Sequence, residues 1–548
     1  MEKILVTGYA AEGKSLARQD GKVIFIEGAV PGDVVDVFVS TNKKDYGEGK
    51  ATRFHEYSTE RTTPFCQHFG TCGGCKWQML PYQKQLEYKQ QEVAQNFRRI
   101  GKVELPEMMP IVGGEDTIHY RNKLEFTFSN RRYLTREEID KAPLPPEGGF
   151  PDSGNSENFS KDKILKPSLL ENTYKSAESK ASPSEGLGEV SLGGRGAFPD
   201  LEMLSKTEGF EISKIEKFSE LPESNNPPSG GRGAGPGALG YHAPRIFDKI
   251  IDINECFLMC DVNNSIRNSI RNFALENNYS YYDIKQHTGW LRNIIIRNCT
   301  TGELMVNICL GYEDVIETKR LLDFVLQQVP SITTLLYTIN TKWNDTIYDL
   351  TPRVYYGKGF VIEKLEEYLF KIGPKSFFQT NTKQAEKLYS ITRDFAELTG
   401  NEIVYDLYCG TGSIGIFVSK GAKKIIGVEV IAEAIEDAKV NAALNNIEHA
   451  EFFAGDVIKI CDDRFFSGHG RPDVIITDPP RAGMHEKLVV KLLEIAAPKI
   501  VYVSCNTATQ ARDLGLLSEK YKVEKIQPVD MFPHTHHIEC VVLLTLKQ

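Results

Sequence analysis

A doubly wound α/β fold is predicted for the C-terminal part of this chain, with a small β-barrel and an α+β domain ahead of it. Three patterns carry that expectation. Six apolar runs after Pro374 alternate with helix-like stretches, short strands broken by glycine and proline turns fill the N-terminal region, and β-rich runs without such alternation lie between them. At about 100–200 residues per domain, 548 residues imply two to four domains. The boundaries are expected at 1–62 for an OB-like barrel, 63–131 for a cysteine-bearing loop and the first part of the central domain, 132–240 for an insertion, 241–373 for the rest of the central domain, and 374–548 for the catalytic domain.

A net charge of −9 gives no protein-wide positive field, so any binding of nucleic acid must rest on local basic patches. No apolar run approaches the roughly 20 residues of a membrane-spanning helix, and Met1 to Ser15 has no signal-like apolar stretch. A soluble, cytoplasmic, monomeric protein is expected, with neither membrane nor DNA as a partner. The 11 cysteines are too scattered for a secreted disulfide framework, and in a reducing compartment grouped cysteines bind metal or do chemistry.

The N-terminal strands are Lys3 to Thr7, Lys22 to Ile26 and Asp33 to Val39, with Gly21 and Pro31-Gly32 supplying turns. Through Gly8 to Lys14 and Asp20 to Asp33 this region resembles the TRAM domain, an OB-like RNA-binding module. Lys14, Arg18, Lys22, Lys43 and Lys44 are candidates for phosphate contacts as well as for ordinary solvation.

Cys66-x5-Cys72-x2-Cys75 groups three thiols within ten residues, and Gly70, Gly73 and Gly74 let the backbone wrap around a centre. The spacing suits zinc and an iron–sulfur cluster equally. A fourth ligand must come from elsewhere, with Cys256 and Cys260 as the candidates.

Between about Arg132 and Gly240, Pro, Gly, Ser, Glu and Lys dominate, and Gly-Gly-Arg-Gly-Ala occurs at Gly193 to Ala197 and again at Gly230 to Ala234. Such a composition buries too little apolar surface to offset its ordering entropy, so a disordered insertion is expected. The central domain flanks it. Its runs are Tyr120 to Phe126, Phe247 to Ile253, Ile294 to Arg297, Leu304 to Ile308 and Thr334 to Ile339. Arg121, Lys123, Arg292 and Arg297 are candidates to line an RNA groove, with Tyr120, Phe126 and Trp290 for base stacking; charged strand edges over an aromatic core account for them equally well.

In the last domain the six runs are Val404 to Leu407, Lys424 to Val428, Glu451 to Ala454, Val474 to Thr477, Ile500 to Val503 and Cys540 to Leu544. Ligands of such a sheet sit at the strand C-terminal ends. There the first run leads into Asp406-Leu407-Tyr408-Cys409-Gly410-Thr411-Gly412-Ser413, a tight turn before a helix that lacks the third glycine of a dinucleotide fingerprint. Glu429, Asp456 and Asp478 each end a strand, and Glu429 is placed to bind ribose hydroxyls.

Across nearly everything outside the insertion, the chain resembles the uracil-5 RNA methyltransferase family, and within it the branch acting on 23S ribosomal RNA. The resemblance rests on the TRAM-like start, Cys66/Cys72/Cys75, Phe377-Phe378-Gln379-Thr380-Asn381, the cofactor turn, Asp478-Pro479-Pro480-Arg481, Ser504-Cys505-Asn506 and Phe532-Pro533-His534-Thr535-His536-His537-Ile538-Glu539. It implies S-adenosylmethionine held by Gln379, Tyr408, Gly410, Glu429, Asp456 and Asp478, Cys505 as nucleophile and Glu539 as base. It also implies a [4Fe-4S] cluster on Cys66, Cys72, Cys75 and Cys256. The substrate it implies is 23S rRNA, with tRNA as the alternative; a noncatalytic RNA-binding assembly factor is the rival from another class. Ser413 stands where the family often has Asn, and Phe257 where it often has Pro.

The chemistry needs these residue types. Carbon 5 of uracil is too weak a nucleophile to take a methyl group until a thiolate adds at carbon 6, and a base must then remove the carbon 5 proton before the thiolate can leave. His534, His536 and His537 are expected to order the loop carrying the base rather than to bind metal, and Cys409 and Cys540 to serve packing. Arg481 is expected to border a flipped-out base.

Overall fold

The computed structural model describes residues 1–135, 138 and 237–548. The expected disorder of the insertion and both Gly-Gly-Arg-Gly-Ala repeats fall outside them.

The N-terminal strands are Ile4–Leu5, Gly8–Tyr9, Ser15–Gln19, Lys22–Glu27, Val34–Asn42 and Tyr46–Glu56. Ile4–Leu5 pairs with Val34–Asn42 at one end of the sheet, and Gly8–Tyr9 pairs with Ser15–Gln19 at the other. Those two end strands are consecutive pieces of one stretch of chain, so the sheet closes on itself. Between them, Val6 N–H donates to Asp33 and Thr7 N–H to Leu16. Closure leaves no free edge and encloses Val6, Ala17, Ile24, Ile26, Val35 and Val37.

The central sheet runs in the order Arg353–Gly357, Thr334–Ile339, Leu304–Leu310, Leu291–Asn298, Lys123–Ser129, Ala238–Ala243 and Ile246–Asp252. Helices Val262–Glu276 and Val315–Gln328 bury Ile266, Ile270, Leu321, Leu322 and Val325 with the side chains of this sheet. Ordered chain is present by Ala238, earlier than the Tyr241 expected, because Ala238–Ala243 is hydrogen-bonded between two other strands. Tyr120 precedes its expected strand, which begins at Lys123.

The C-terminal sheet comprises β1 (Ile403–Leu407), β2 (Lys424–Glu429), β3 (Ala450–Ala454), β4 (Val474–Thr477), β5 (Lys499–Ser504), β6 (Tyr521–Val529) and β7 (Glu539–Leu546). Their order is 3-2-1-4-5-7-6, with β7 antiparallel to both neighbours and the remaining pairs parallel. One face packs on helices Thr382–Ala396, Ser413–Val418 and Ala432–Leu444, the other on Glu486–Ile495 and Thr507–Leu517. The expected six strands are all present, and β6 is a seventh. Its Lys522, Glu524, Lys525 and Pro528 hide the strand signal, and it can carry them because it is the outer strand, with a bulge between Val523 and Lys525. The hairpin Val361–Leu365/Tyr368–Ile372 is buried in the same core as β1, so the catalytic layer starts ahead of the expected boundary at 374.

Helix Tyr82–Asn96, from the N-terminal part of the chain, also reaches this layer. Val93 and, just beyond it, Phe97 are buried with Ala511 and Leu514. Its Lys89 donates to Asp530 at 2.7 Å.

Candidate active site

After β1 the chain turns through Tyr408, Gly410 and Gly412 with φ of 63°, 53° and 76°. Glycine enters this left-handed region without a Cβ penalty, whereas Tyr408 is held there by its surroundings. A Cβ on Gly410 would meet nothing within 4 Å, but one on Gly412 would lie 3.0 Å from Phe452 and 3.1 Å from Ala438. The turn is therefore open at Gly410, where a ligand can approach the backbone, and tight at Gly412, where helix meets sheet.

Acidic side chains surround this turn. Glu429, the last residue of β2, accepts from Gly410 N–H at 3.3 Å and from Ile431 N–H at 3.0 Å. Asp456 caps helix Val457–Ile460 by accepting from Ile458 N–H at 3.0 Å. Asp406 accepts from Gly415 N–H at 2.8 Å with one oxygen, while its other oxygen is buried with no hydrogen-bond partner among the described residues. Burial pushes the carboxyls of Asp406 and Asp478 up to about 7. A cationic ligand would restore their charged forms, and S-adenosylmethionine, positive at its sulfonium and amine, fits that demand. Gln379 is buried nearby in sequence to Asn381, and its carbonyl accepts from Asn122 Nδ2 at 3.1 Å.

Cys505 and Glu539 meet through strand register. Ser504 of β5 lies opposite Cys540 of β7, so one step on, Cys505 leaves β5 where Glu539 begins β7. In the parallel pair of β4 and β5, Thr477 lies opposite Tyr502, which brings Asp478 to the same end of the sheet. Burial, then the negative fields of Glu539 and Asp478, push the Cys505 thiol up to about 11. Burial and Asp478 also raise the Glu539 carboxyl well above its usual range.

Arg481 opposes those shifts by its charge at both residues. Its backbone is fixed, since its carbonyl accepts from Asn506 Nδ2 at 3.0 Å and Thr509 Oγ1 at 3.2 Å. The guanidinium also donates to Nδ1 of His537 at 3.1 Å. Burial pulls His537 down to about 3, which keeps that imidazole a neutral acceptor. Asn506 further caps helix Thr507–Leu517 through Ala508 and Thr509. Its position beside Cys505 thus has a structural cause that sequence alone did not expose. Asp406 was quoted as the first residue of the cofactor turn but given no role of its own, although an acid inside an apolar strand run is a visible signal.

The histidine loop does not gather around a metal. His534 shares a hydrogen bond with Gln85 at 3.0 Å, His537 receives Arg481, and among the described residues no three His, Cys, Asp or Glu side chains are grouped to hold a metal ion. Cys66, Cys72, Cys75 and Cys256 nevertheless line one cavity of about 700 Å³, and Cys260 is not among its lining residues. Tyr241 Oη lies 3.6 Å from Cys256 Sγ. Burial raises the Cys66 thiol, and takes Cys72 to about 11 and Cys75 to about 12. These four thiols share a cavity, but among the described residues they are not gathered into a group that would hold a metal ion. Cys409 and Cys540 are buried in the two cores flanking the sheet.

The stacking candidates of the central domain need correction. Tyr120, Phe126 and Trp290 are buried, and Arg292 spends its donors on the carbonyls of Asn340, Lys342 and Asn344 and on Asp345. These side chains build the fold and offer no free face. Arg121, Lys123 and Arg297 do line the cavity, together with the exposed aromatics Phe377 and Tyr348.

The strand order, the reversed β7 and the open glycine turn define an α/β methyltransferase-type fold. The model of the tRNA (uracil-5-)-methyltransferase family matches residues 352–547. An uncharacterized RNA methyltransferase of Bacteroides thetaiotaomicron is 46% identical over 98% of this chain and 100% of the relative. One from Porphyromonas gingivalis is 43% identical over 98% of each chain. The chain belongs to the RNA uracil-5-methyltransferase family. Its fold is similar to that of the Pyrococcus abyssi tRNA (uracil-54, C5)-methyltransferase, solved with S-adenosyl-L-homocysteine, at a TM-score of 0.64 and 23% identity over 100% of both chains.

Proposed function

We propose that the protein transfers the methyl group of S-adenosylmethionine to carbon 5 of a uridine in 23S ribosomal RNA in the cytoplasm. The observation that carries the chemistry is the Ser504–Cys540 register, which sets Cys505 and Glu539 at neighbouring strand ends. Cys505 loses its proton and its sulfur bonds to carbon 6 of the uracil, leaving an enolate nucleophilic at carbon 5. S-Adenosylmethionine, held by Gln379, Tyr408, Gly410, Glu429, Asp456 and Asp478, supplies the electrophilic methyl. Glu539 then takes the carbon 5 proton, the carbon 5–carbon 6 double bond reforms, and the thiolate departs. Arg481 favours the thiolate and is itself oriented by His537.

Cys66, Cys72, Cys75 and Cys256 are proposed to hold a [4Fe-4S] cluster with a structural role, since no step of uracil methylation needs an electron. The N-terminal barrel and the cysteine set support the ribosomal substrate. The tRNA reading is favoured by the family model and by the tRNA enzyme whose fold is similar.

The test is methyl transfer from labelled S-adenosylmethionine into unmodified 23S rRNA and, separately, tRNA. Label recovered as 5-methyluridine in rRNA alone, and lost in Cys505→Ala, supports the reading. With Glu539→Gln, labelled RNA should remain covalently attached to protein, because the carbon 5 proton cannot leave. Label in tRNA alone overturns the substrate, and none in either RNA overturns the reaction.

A further inference from the structure

The N-terminal barrel touches the loop that carries Glu539. Between strands Gly8–Tyr9 and Ser15–Gln19 the chain makes a short turn, Ala11–Gly13, closed by Ala10 N–H donating to the Lys14 carbonyl at 2.8 Å. Gly13 sits there at φ of 71°, and a Cβ on it would stand 3.0 Å from the Cβ of His536 and 3.2 Å from Nε1 of Trp77. The Trp77 indole N–H donates to the Gly13 carbonyl at 3.4 Å, and its ring is fully buried with Tyr9, Val30, Met79 and Leu80, so it has no room to yield. His536 is only half-buried. Its ring also lies 4.2 Å, centre to centre, from that of His537, which accepts from Arg481 at 3.1 Å.

Packing is what places His536. Its Nδ1 is buried with no hydrogen-bond partner among the described residues. Burial, then the positive fields of Lys76, Lys89 and Arg481, outweigh Glu12 and take His536 down to about 4, so the imidazole is neutral and passes on position rather than charge. Close-packed side chains transmit a displacement because the space around them cannot absorb it. A side chain at position 13 would displace the stem of His536, and with it the ring that packs on the acceptor of the Arg481 guanidinium. We propose that Gly13 and His536 are positioning residues: the barrel turn seats His536, which through His537 sets the guanidinium of Arg481. The barrel thereby takes part in setting the reactivity of Cys505, and the inference rests on the reading of Cys505 as nucleophile.

The test uses the full chain without RNA and follows alkylation of Cys505 by iodoacetamide against pH, read by mass spectrometry of the Cys505 peptide. The thiolate sulfur displaces iodide, so the rate reports the thiolate fraction. Gly13→Ala should carry the rise to higher pH and slow alkylation on the rising limb about 3-fold, as weakening one nearby charge would. His536→Ala should shift the rise in the same direction; it leaves the barrel backbone intact and decides the matter if Gly13→Ala does not fold. Adding Gly13→Ala to His536→Ala should shift it no further, because the ring that packs on His537 is already gone. Gly28→Ala, at φ of 83° with no atom within 4 Å of its Cβ, bears similar backbone strain in the same barrel and should keep the wild-type profile. Wild-type profiles in both Gly13→Ala and His536→Ala would overturn the proposal. So would additive shifts in the double variant, or an equal shift in Gly28→Ala, which would make Cys505 sensitive to any strain in the barrel. Shifted profiles in a protein that forms no 5-methyluridine would keep the coupling and refute the methylation reading alone; intact methylation with unshifted profiles would refute the coupling alone.

Discussion

Lys89 and Asp530 form an ion pair at 2.7 Å with neither side chain exposed to solvent. Lys89 lies on helix Tyr82–Asn96, a few residues after the cysteine group, and Asp530 follows β6 at the start of the stretch that leads to Glu539. Tyr82 Oη donates to the second Asp530 oxygen at 2.8 Å, and Lys76 and Trp77 N–H donate to the His534 carbonyl. The residues following Cys75 therefore hold the loop that carries the proposed base. Removing one member of a buried pair strands the other charge, so Lys89→Met should destabilise by about 3–5 kcal/mol in urea unfolding. Lys89→Met combined with Asp530→Asn should recover part of that loss; a cost below about 1 kcal/mol for the single variant contradicts the role assigned.

Asp406 and Asp478 give the ligand-free protein a pH-dependent stability. Their carboxyls titrate near 7 when folded, against 3.8 ordinarily, so the folded state binds these protons more tightly than the unfolded chain. That contribution is complete below the unfolded value and is lost as pH rises through about 7. Wild type minus Asp406→Asn should therefore show a stability difference that falls between pH 4 and 7, measured by urea unfolding at each pH. S-Adenosylmethionine should raise the melting temperature more at the upper end of that range. A flat difference would mean that Asp406 is not held protonated.

Most of the catalytic domain was legible because its signals are local. Val404 to Leu407 and Val474 to Thr477 are apolar runs buried on both faces, and the glycine turn follows the first of them directly. The outer strand β6 was not legible, because its charges and Pro528 read as loop until the neighbouring β7 is known. Cys505 and Glu539 were legible as motifs, but their proximity comes from antiparallel pairing of segments far apart in sequence. In the central domain the basic residues were visible and their fates were not. Arg292 and Arg297 lie on the same strand, yet one is spent on loop carbonyls and the other lines a cavity, its Nη1 without a hydrogen-bond partner among the described residues.

Arg481 should set the pH at which Cys505 becomes reactive. Burial and two carboxyls push the thiol up to about 11, and Arg481 works against them. In single-turnover methylation the rate should rise with pH as the thiolate forms, and Arg481→Met should move that rise to higher pH. His537→Ala, which removes the acceptor of the guanidinium, should move it in the same direction by less. An identical pH profile in Arg481→Met would separate Arg481 from the thiol.

Gly412 and Gly410 should separate fold stability from affinity for the proposed cofactor. At φ of 76° an alanine is strained, and its Cβ would stand 3.0 Å from Phe452 and 3.1 Å from Ala438, both buried in the core beside β1. Neither can retreat cheaply, because Ala438 sits on helix Ala432–Leu444 and Phe452 on β3. Gly412→Ala should cost about 1–3 kcal/mol of stability through that overlap and the backbone strain. Gly410→Ala meets no atom and bears only the strain of φ 53°, so it should cost about 1 kcal/mol in the ligand-free protein. For cofactor affinity the order should reverse if the proposed cofactor uses the open space at Gly410. Calorimetric titration with S-adenosylhomocysteine should find Gly410→Ala weakened at least about 10-fold, a loss of about 1.4 kcal/mol. Equal or stronger binding in Gly410→Ala would remove that face of the turn from the cofactor site.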